Sequence, residues 1–418
     1  MAAAQYLDFT LILTREGDRY MAEVRDSPAG ASQKVALRWP FVDQPHEVLL
    51  LKLENAVLKG RGYRGGPITS EEKVLREFGS DVFRAVFRDS EAIAAKFTGS
   101  IAIAQNATRG LRLVLRVDSP ELAMLPWEYM FDTALRNAEG DYLCLRNASP
   151  VVRFLNTDAQ RIPLRVEGPL RILCMIANPG SEEWVRIDAE AERHRIEEAL
   201  RDIPASAVHL KWVPGGRLDD LFEMMQREPW HVFHFVGHGG TEHYLNENSE
   251  PATRGFVVMQ DGAGGAVRVT ESELRVTLEG DGNLRLVVLN CCDSGRGSTG
   301  FSSLGTSLVH SCVPMAVAMQ FAITDDAAAR FAGRFYKSLV AGQCVEQALT
   351  VARQFIRIQS NMEWGIPVLF TRTQPCVLLE LDATKGATGT PPSAALPASP
   401  TPAASRAQAR EELRRLFM

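Results

Sequence analysis

The sequence has few cysteines and no strong excess of charge of either sign. Its 418 residues include seven cysteines spread thinly along the chain, which argues against a disulfide framework and indicates reduced thiols. The 46 Lys and Arg residues and 51 Asp and Glu residues leave a net charge of -5, so no general attraction to phosphate or anionic lipid is expected. Neither nucleic acid nor a membrane is therefore an expected partner.

Long apolar runs are also missing. The longest candidate, residues 312–323, contains Gln320 and is about half of the roughly 20 residues that cross a bilayer. The N-terminus lacks a basic segment followed by an apolar run, so no secretory signal is expected and the predicted location is cytoplasmic. With 45% hydrophobic and 23% charged residues, the composition is that of a folded globular protein of two or three domains.

The chain is predicted to contain two folded domains, a linker and a tail. Residues 1–165 mix strand and helix patterns, whereas residues 166–382 alternate apolar strands with amphipathic helices. The second pattern indicates a mostly parallel sheet covered on both faces. The predicted fold class is therefore α/β, a mostly parallel sheet flanked by helices, preceded by a smaller α+β domain.

The last 36 residues differ from the rest of the chain in composition. Residues 383–408 are dominated by Ala, Pro, Thr, Ser and Gly, which is typical of a flexible linker. Residues 409–418 have the pattern of an amphipathic helix. They are expected to begin a truncated adaptor domain or to form a docking peptide.

Two apolar strands end in residues that can carry chemistry. One is predicted over residues 231–236 and leads into His238, which lies between glycines; the other is predicted over residues 286–290 and leads into the pair Cys291-Cys292. Reactive groups gather at the carboxyl ends of strands in an open α/β sheet. If the two strands are neighbours, their ends meet.

A nucleophilic cysteine is activated by an imidazole that takes its proton and later returns it to a leaving amine. His238 fits that role, and the glycines beside it leave room for a substrate backbone and free N–H groups for a developing oxyanion. Adjacent strand residues point to opposite faces, so only one of Cys291 and Cys292 can meet His238.

A zinc site is the metal alternative for the same residues. It would use His234 and His238 with Cys291 and Cys292. However, histidines four residues apart converge well only on a helix, and this segment is predicted to be a strand. No metal or organic cofactor is expected.

The segments HFVGHGG at 234–240 and LNCCDSG at 289–295 resemble the CHAT group of caspase-like cysteine proteases. His238 precedes Cys292 by 54 residues, close to the roughly 50 that separate histidine and cysteine in caspases. The resemblance covers about residues 105 to 375. It includes further segments at 125–128, 143–155, 322–328, 335–336 with Gly342, 348–353 and 364–367.

The resemblance implies a role for each residue of the pair. His238 is the general base and acid, Cys292 is the nucleophile, and the backbone N–H groups of Gly239 and Cys292 form the oxyanion hole. Most such sequences carry a small residue before the nucleophile, commonly Ala, where this chain has Cys291. Cys292 directly precedes the predicted turn and matches the nucleophile of the family, so it is the thiol predicted to meet His238.

Specificity in the wider caspase clan depends on a deep pocket for the residue before the cut. Asp293, Asp325 and Asp326 are the acids predicted to line such a pocket here. They would favour Arg or Lys in the substrate, although the family varies in this preference.

The predicted function is that of a cysteine endopeptidase that cleaves a protein partner through a thioester acyl-enzyme. The resemblance further implies a bacterial protein that acts in defence or programmed cell death, with a pore-forming gasdermin as one substrate class. The tail would connect the enzyme to an upstream sensor or adaptor. The alternative is a catalytically silent, caspase-like interaction scaffold, against which the intact pair His238 and Cys292 argues.

Overall fold

The computed structural model describes most of the first 381 residues. The described residues are 6–61, 68–135, 139–155, 164–166, 168–184, 186–245, 249, 251–279, 282–291, 300–359, 362–373 and 379–381. Several predicted features lie outside them: Cys292, Asp293, the linker at 383–408 and the tail at 409–418.

Strands provide the framework of the described part of the chain. They are β1 (Tyr6–Glu16), β2 (Arg19–Asp26), β3 (Val35–Ala36), β4 (Gly110–Val117), β5 (Phe131–Asp132), β6 (Asp141–Tyr142), β7 (Val151–Phe154), β8 (Leu164–Val166), β9 (Leu170–Ile176), β10 (Val208–Trp212), β11 (Val232–Leu245), β12 (Pro251–Gln260), β13 (Ala266–Thr270), β14 (Leu286–Cys291), β15 (Met315–Met319), β16 (Pro367–Thr371) and β17 (Leu379–Leu381).

Helices lie between these strands. They are α1 (His46–Lys59), α2 (Ser70–Phe87), α3 (Glu91–Asn106), α4 (Pro120–Ala123), α5 (Ala189–Leu200), α6 (Leu218–Arg227), α7 (Glu271–Leu278), α8 (Gly300–Ser311), α9 (Asp325–Val340) and α10 (Val345–Gln359), with short 3₁₀ turns at Trp127–Tyr129, Leu143–Leu145 and Glu363–Gly365.

Thirteen of the described strands form one sheet. Eleven of them follow the order β10-β9-β11-β14-β15-β16-β7-β4-β1-β2-β3, and β12 and β13 extend from β11. The five strands from β10 to β15 in this order are parallel, whereas β16 is antiparallel to β15. Strands from both sides of residue 165 belong to this sheet, because β16 pairs with β7.

Helices cover both faces of the central strands. Apolar side chains of α5, α9 and α10 pack against one face, and those of α6, α7 and α8 pack against the other. Because successive strand residues point to opposite faces, Val232 and Val288 join the first cluster while Phe233 and Leu289 join the second. This arrangement confirms the predicted α/β class with a mostly parallel sheet flanked by helices.

The strand that carries His238 is longer than the sequence predicts. The apolar run ends at Val236, but β11 continues to Leu245. Beyond Gly237 the strand exchanges its parallel partner β14 for the antiparallel partner β12. Pairing with β12 keeps this glycine-rich, polar segment extended, an effect of tertiary context that overrides local propensity.

Candidate active site

The two strand ends singled out in the sequence are neighbours in the structure. β11 and β14 run parallel, with Val232 opposite Leu286 and Gly237 opposite Cys291. His238 is the next residue of β11 and is paired with Val258 of β12. The condition that the two strands are neighbours, on which the meeting of their ends depends, is therefore met, and His238 lies where β11 changes partner.

The imidazole of His238 is buried and has an aromatic neighbour. Only 2% of His238 is exposed. The ring of Trp184 lies 5.5 Å from the imidazole centroid, with 31° between the ring planes. Trp184 in turn meets the ring of Phe256 edge-on at 6.3 Å. Sequence reasoning missed both aromatic residues, because neither belongs to a motif that contains His238.

The glycines around His238 have packing roles that the sequence did not reveal. A Cβ atom on Gly237 would lie 2.6 Å from the ring of Phe235, and one on Gly240 would lie 3.1 Å from the ring of Phe256. Gly239, the predicted oxyanion donor, is paired with Val257 of β12. Close approach of aromatic rings thus accounts for glycine at 237 and 240 without reference to a substrate.

Cys291 lies in an apolar environment. It is fully buried and belongs to the same cluster as Val287, Leu289 and Leu304. By strand alternation this is the face opposite to that of Val288 and Asn290. Cys292, the predicted nucleophile, lies outside the described residues.

Three other described cysteines, Cys144, Cys174 and Cys312, are buried. Burial raises the pKa of the Cys144 thiol to about 12 and raises the pKa of Cys174 as well. Both thiols therefore stay protonated at neutral pH, which makes them poor nucleophiles.

The structure describes two of the three acids that are predicted to line a specificity pocket. Asp325 and Asp326 form the first turn of α9, behind the capping residue Thr324. Asp325 forms an ion pair with Arg195 of α5 at 3.2 Å, and Asp326 pairs with Arg330 at 2.8 Å. Asp293 lies outside the described residues. A basic substrate side chain would have to compete with these arginines.

His234 lies on β11, two residues before Val236, and forms a hydrogen bond with a residue of α9. Its Nδ1 shares a hydrogen bond of 2.8 Å with the hydroxyl of Tyr336. Burial lowers the pKa of His234 to about 4. The ring is therefore neutral at physiological pH and connects β11 to the helix that begins with Asp325.

This buried histidine predicts a loss of stability in acid. In the unfolded chain His234 binds a proton below about pH 6.5, whereas in the folded protein it does so only below about pH 4. The unfolded state therefore binds more protons between these values, and stability falls as the pH drops through this window by up to about 3 kcal/mol. Urea unfolding of the wild-type protein and His234→Gln across pH 4 to 7 measures the effect. The variant should lose less stability with falling pH, and parallel curves would contradict the expectation.

A buried polar network fixes the end of β15 beside the site. Arg153 of β7 bonds both carboxylate oxygens of Glu128, at 3.2 and 2.7 Å, and also Gln320 at 3.2 Å. Gln320 directly follows β15 and donates to Glu128 at 3.0 Å and to the carbonyl of Gly365 at 2.6 Å. The network therefore connects four segments that are far apart in the sequence to the carboxyl edge of the sheet.

Glu363 provides a second set of polar contacts at the same edge of the sheet. Its carboxylate accepts hydrogen bonds from the backbone N–H and the hydroxyl of Thr324, at 2.8 and 3.0 Å. Arg61 pairs with Glu363 at 3.2 Å. These contacts set the position at which α9 begins.

In the described part of the chain no group of three or more His, Cys, Asp or Glu side chains is arranged to hold a metal ion. The described helices are all too short or too polar to cross a membrane.

Comparison of the structure with solved structures gives several similar folds at low sequence identity. The separase–securin complex of Saccharomyces cerevisiae matches with a TM-score of 0.45 and 10% identity, over 90% of this chain and 30% of the separase chain. The chain thus spans less than a third of that protein. The Arg-specific cysteine proteinase gingipain R matches with a TM-score of 0.41 and 10% identity, over 78% of this chain and 74% of that one.

A third solved structure is a secreted C11 cysteine protease from Bacteroides thetaiotaomicron bound to an irreversible peptide inhibitor. It matches with a TM-score of 0.32 and 11% identity, over 46% of this chain and 58% of that one. No curated protein matches the sequence. The sequence family model described as the CHAT domain matches residues 86–391. Since this match covers most of the chain, the protein belongs to the CHAT domain family.

Proposed function

We propose that this protein is a cysteine endopeptidase in which Cys292 is the nucleophile and His238 the general base and acid. The observation that carries the proposal is the strand register, which pairs Gly237 with Cys291. In the sequence, His238 directly follows Gly237 and Cys292 directly follows Cys291. Membership of the CHAT domain family supports the same assignment.

The burial of Cys291 supports the choice between the two thiols. Its side chain packs among the apolar residues of the α7 and α8 face. A nucleophile needs contact with both the base and the scissile carbonyl, and an apolar core disfavours the thiolate. Cys292 is therefore the thiol we assign to the chemistry.

The reaction follows from these roles. The Cys292 sulfur attacks the scissile carbonyl carbon, and its proton passes to His238. The tetrahedral oxyanion is held by the backbone N–H groups of Gly239 and Cys292, each donor contributing about 3 kcal/mol in well-studied acyl-transfer enzymes. His238 protonates the leaving amine, and water then hydrolyses the thioester to release the acid and regenerate the thiol. Asp293, Asp325 and Asp326 are the acids we assign to a pocket for a basic substrate residue.

The biological setting we propose rests on the family resemblance. The enzyme cleaves a protein partner in the cytoplasm, in bacterial defence or cell death, and a gasdermin-type protein is one substrate class. The segment at 383–418 joins it to a sensor or adaptor. A catalytically silent interaction scaffold is the alternative function.

Covalent labelling separates an enzyme from a scaffold. A peptide chloromethyl ketone alkylates an activated thiolate with loss of chloride, so one inhibitor molecule should attach to Cys292, as mapped by mass spectrometry. Labelling should be lost in Cys292→Ala and strongly slowed in His238→Ala. Cys291→Ala is the matched control and should label like the wild-type protein. Labelling that is indifferent to Cys292 and His238 would support the scaffold, and labelling lost only in Cys291→Ala would reverse the assignment of the nucleophile.

A further inference from the structure

The loop between β9 and α5 is closed at its base by one side chain. Asn178 accepts a hydrogen bond from the backbone N–H of Ile187 at 2.9 Å and donates one to the carbonyl of Ile187 at 2.6 Å. These paired bonds hold residues nine positions apart side by side. Trp184 belongs to the loop that they close.

The loop between β9 and α5 also contacts the hairpin formed by β12 and β13. Gly180 donates its N–H to the carbonyl of Gly264 at 3.0 Å. Gln260 of β12 donates to the carbonyl of Asn178 at 3.1 Å. Arg268 of β13 pairs with Glu183, the residue before Trp184, at 3.4 Å. Three independent contacts therefore fix the loop relative to the strands that follow His238.

A continuous stack runs from this region to the imidazole. The guanidinium of Arg268 lies 4.9 Å from the ring centroid of Phe256 and is also paired with Glu242 at 3.6 Å. Phe256 meets Trp184 edge-on, and Trp184 lies against His238 at 5.5 Å. Gly240 leaves the space that the ring of Phe256 occupies.

The sequence neighbours of His238 contribute no side chains to the packing of its ring. Both sequence neighbours, Gly237 and Gly239, lack side chains, and β11 changes its pairing partner at this point. A general acid and base must nevertheless be held within a small range of orientations for efficient proton transfer. Among the described residues, the ring that lies against the imidazole is that of Trp184.

We infer that Trp184 is a positioning residue for His238, an inference that rests on the proposed function. The indole fixes the plane of the imidazole, and the Phe256 and Arg268 stack fixes the indole. Trp184 takes no part in bond making or breaking. Its effect is on the rate of proton transfer by His238 and not on the affinity for substrate.

Kinetics of three variants test the inference. With the fluorogenic peptide amide that the wild-type protein cleaves fastest in a peptide library, Trp184→Ala should lower kcat by about 10- to 100-fold, the effect of a misplaced catalytic group. KM should stay within about threefold, because ground-state binding is unchanged. Trp184→Phe keeps an aromatic ring and should recover most of kcat. Trp212→Ala is the matched control, since Trp212 lies on β10, separated from β11 by β9, and it should leave kcat unchanged.

Chemical labelling of His238 tests the contact without any need for proteolysis. Diethyl pyrocarbonate modifies accessible imidazoles, so the buried His238 should react slowly and the exposed His194 of α5 quickly. Trp184→Ala should speed the modification of His238 by at least about tenfold by lowering the cost of local opening, with His194 unchanged, and Trp184→Phe should remain close to wild type. Modification sites and rates are read by mass spectrometry.

The outcomes separate the two proposals. An unchanged rate of His238 modification in Trp184→Ala would overturn the inference, whether or not the protein cleaves peptides. Faster modification with unchanged kcat would also overturn it, since the contact would then have no effect on catalysis. Faster modification together with a kcat loss that Trp184→Phe recovers would support it. A wild-type protein that neither cleaves peptides nor reacts with the chloromethyl ketone would refute the proposed function and with it the role of Trp184.

Discussion

Replacing His238 with glutamine is expected to lower kcat for peptide cleavage by about 100- to 10,000-fold, the range supplied by general acid and base catalysis. Glutamine is close in size and polar but cannot take a proton from a thiol or return one to an amine. The variant should keep its fold, because the substituted side chain retains hydrogen-bonding atoms at a site only 2% exposed. Circular dichroism and steady-state kinetics on the same preparation measure both properties.

The two cysteines provide the controls for this result. Cys292→Ala should lower kcat at least as much as His238→Gln, because it removes the nucleophile, whereas Cys291→Ala should cleave peptides at the wild-type rate. Cys291 is fully buried in an apolar cluster, so its truncation should cost about 1 kcal/mol of stability, typical of a point substitution. A loss of turnover in Cys291→Ala at temperatures where the variant is folded would show that the wrong thiol has been assigned.

Loss of the buried charge pair between Arg153 and Glu128 is expected to have the largest effect on stability. The two residues are 5% and 1% exposed, and Arg153 also donates to the carbonyls of Ala123 and Leu125 at 2.7 and 3.0 Å. Arg153→Met leaves the Glu128 carboxylate buried without its countercharge, which costs about 3 to 5 kcal/mol. Urea unfolding followed by circular dichroism should show a correspondingly lower midpoint.

Two further variants complete this experiment. The double variant Glu128→Gln/Arg153→Met should lose less stability than the sum of the single variants, by about 1 to 3 kcal/mol, because neither charge is then left unpaired. Asp81→Asn breaks the exposed pair with Arg84 at 2.8 Å and should cost less than about 1 kcal/mol. Equal losses for Asp81→Asn and Arg153→Met would mean that burial does not set the strength of the pair.

The Arg153 network also connects stability to the site. Gln320 lies directly after β15, donates its side-chain amide to Glu128 and to the carbonyl of Gly365, and accepts a hydrogen bond from Arg153. β15 is the strand next to β14, whose last residue is Cys291. The network around Glu128 therefore supports the strand that lies next to the one ending at Cys291.

Much of the secondary structure of the α/β region could be read from local patterns. Apolar runs predicted the strands that correspond to β11 and β14, and the alternation of apolar strands with amphipathic helices predicted the pattern of residues 166–382. These features are local, because a strand or helix that packs on a core must show its period in its own sequence. Helix α3 shows this period weakly, since its buried residues are few: Ile93, Phe97, Ser100 and Ala104.

Part of the candidate site could also be predicted from the sequence. An apolar run that ends at a histidine and another that ends at a cysteine pair indicated two strand ends that would meet at the carboxyl edge of a parallel sheet if the strands were neighbours. The register that pairs Gly237 with Cys291 is decided by the tertiary structure. The predicted specificity pocket has less support, because acids at a helix start such as Asp325 and Asp326 serve equally well as N-terminal charges and as partners of Arg195 and Arg330.

The amino-acid sequence by itself determined the α/β class, the alternation of strands and helices, and the two strands whose ends carry His238 and the cysteine pair. Only the tertiary structure decided that β11 continues past His238 to pair with β12, that Trp184 lies against the imidazole, and that strands from both sides of residue 165 form one sheet. The physical reason is the sequence separation between the residues that interact. A period is imposed on each segment by its own burial, whereas a contact such as that of Arg153 with Gln320, 167 residues apart, depends on the path of the whole chain between them.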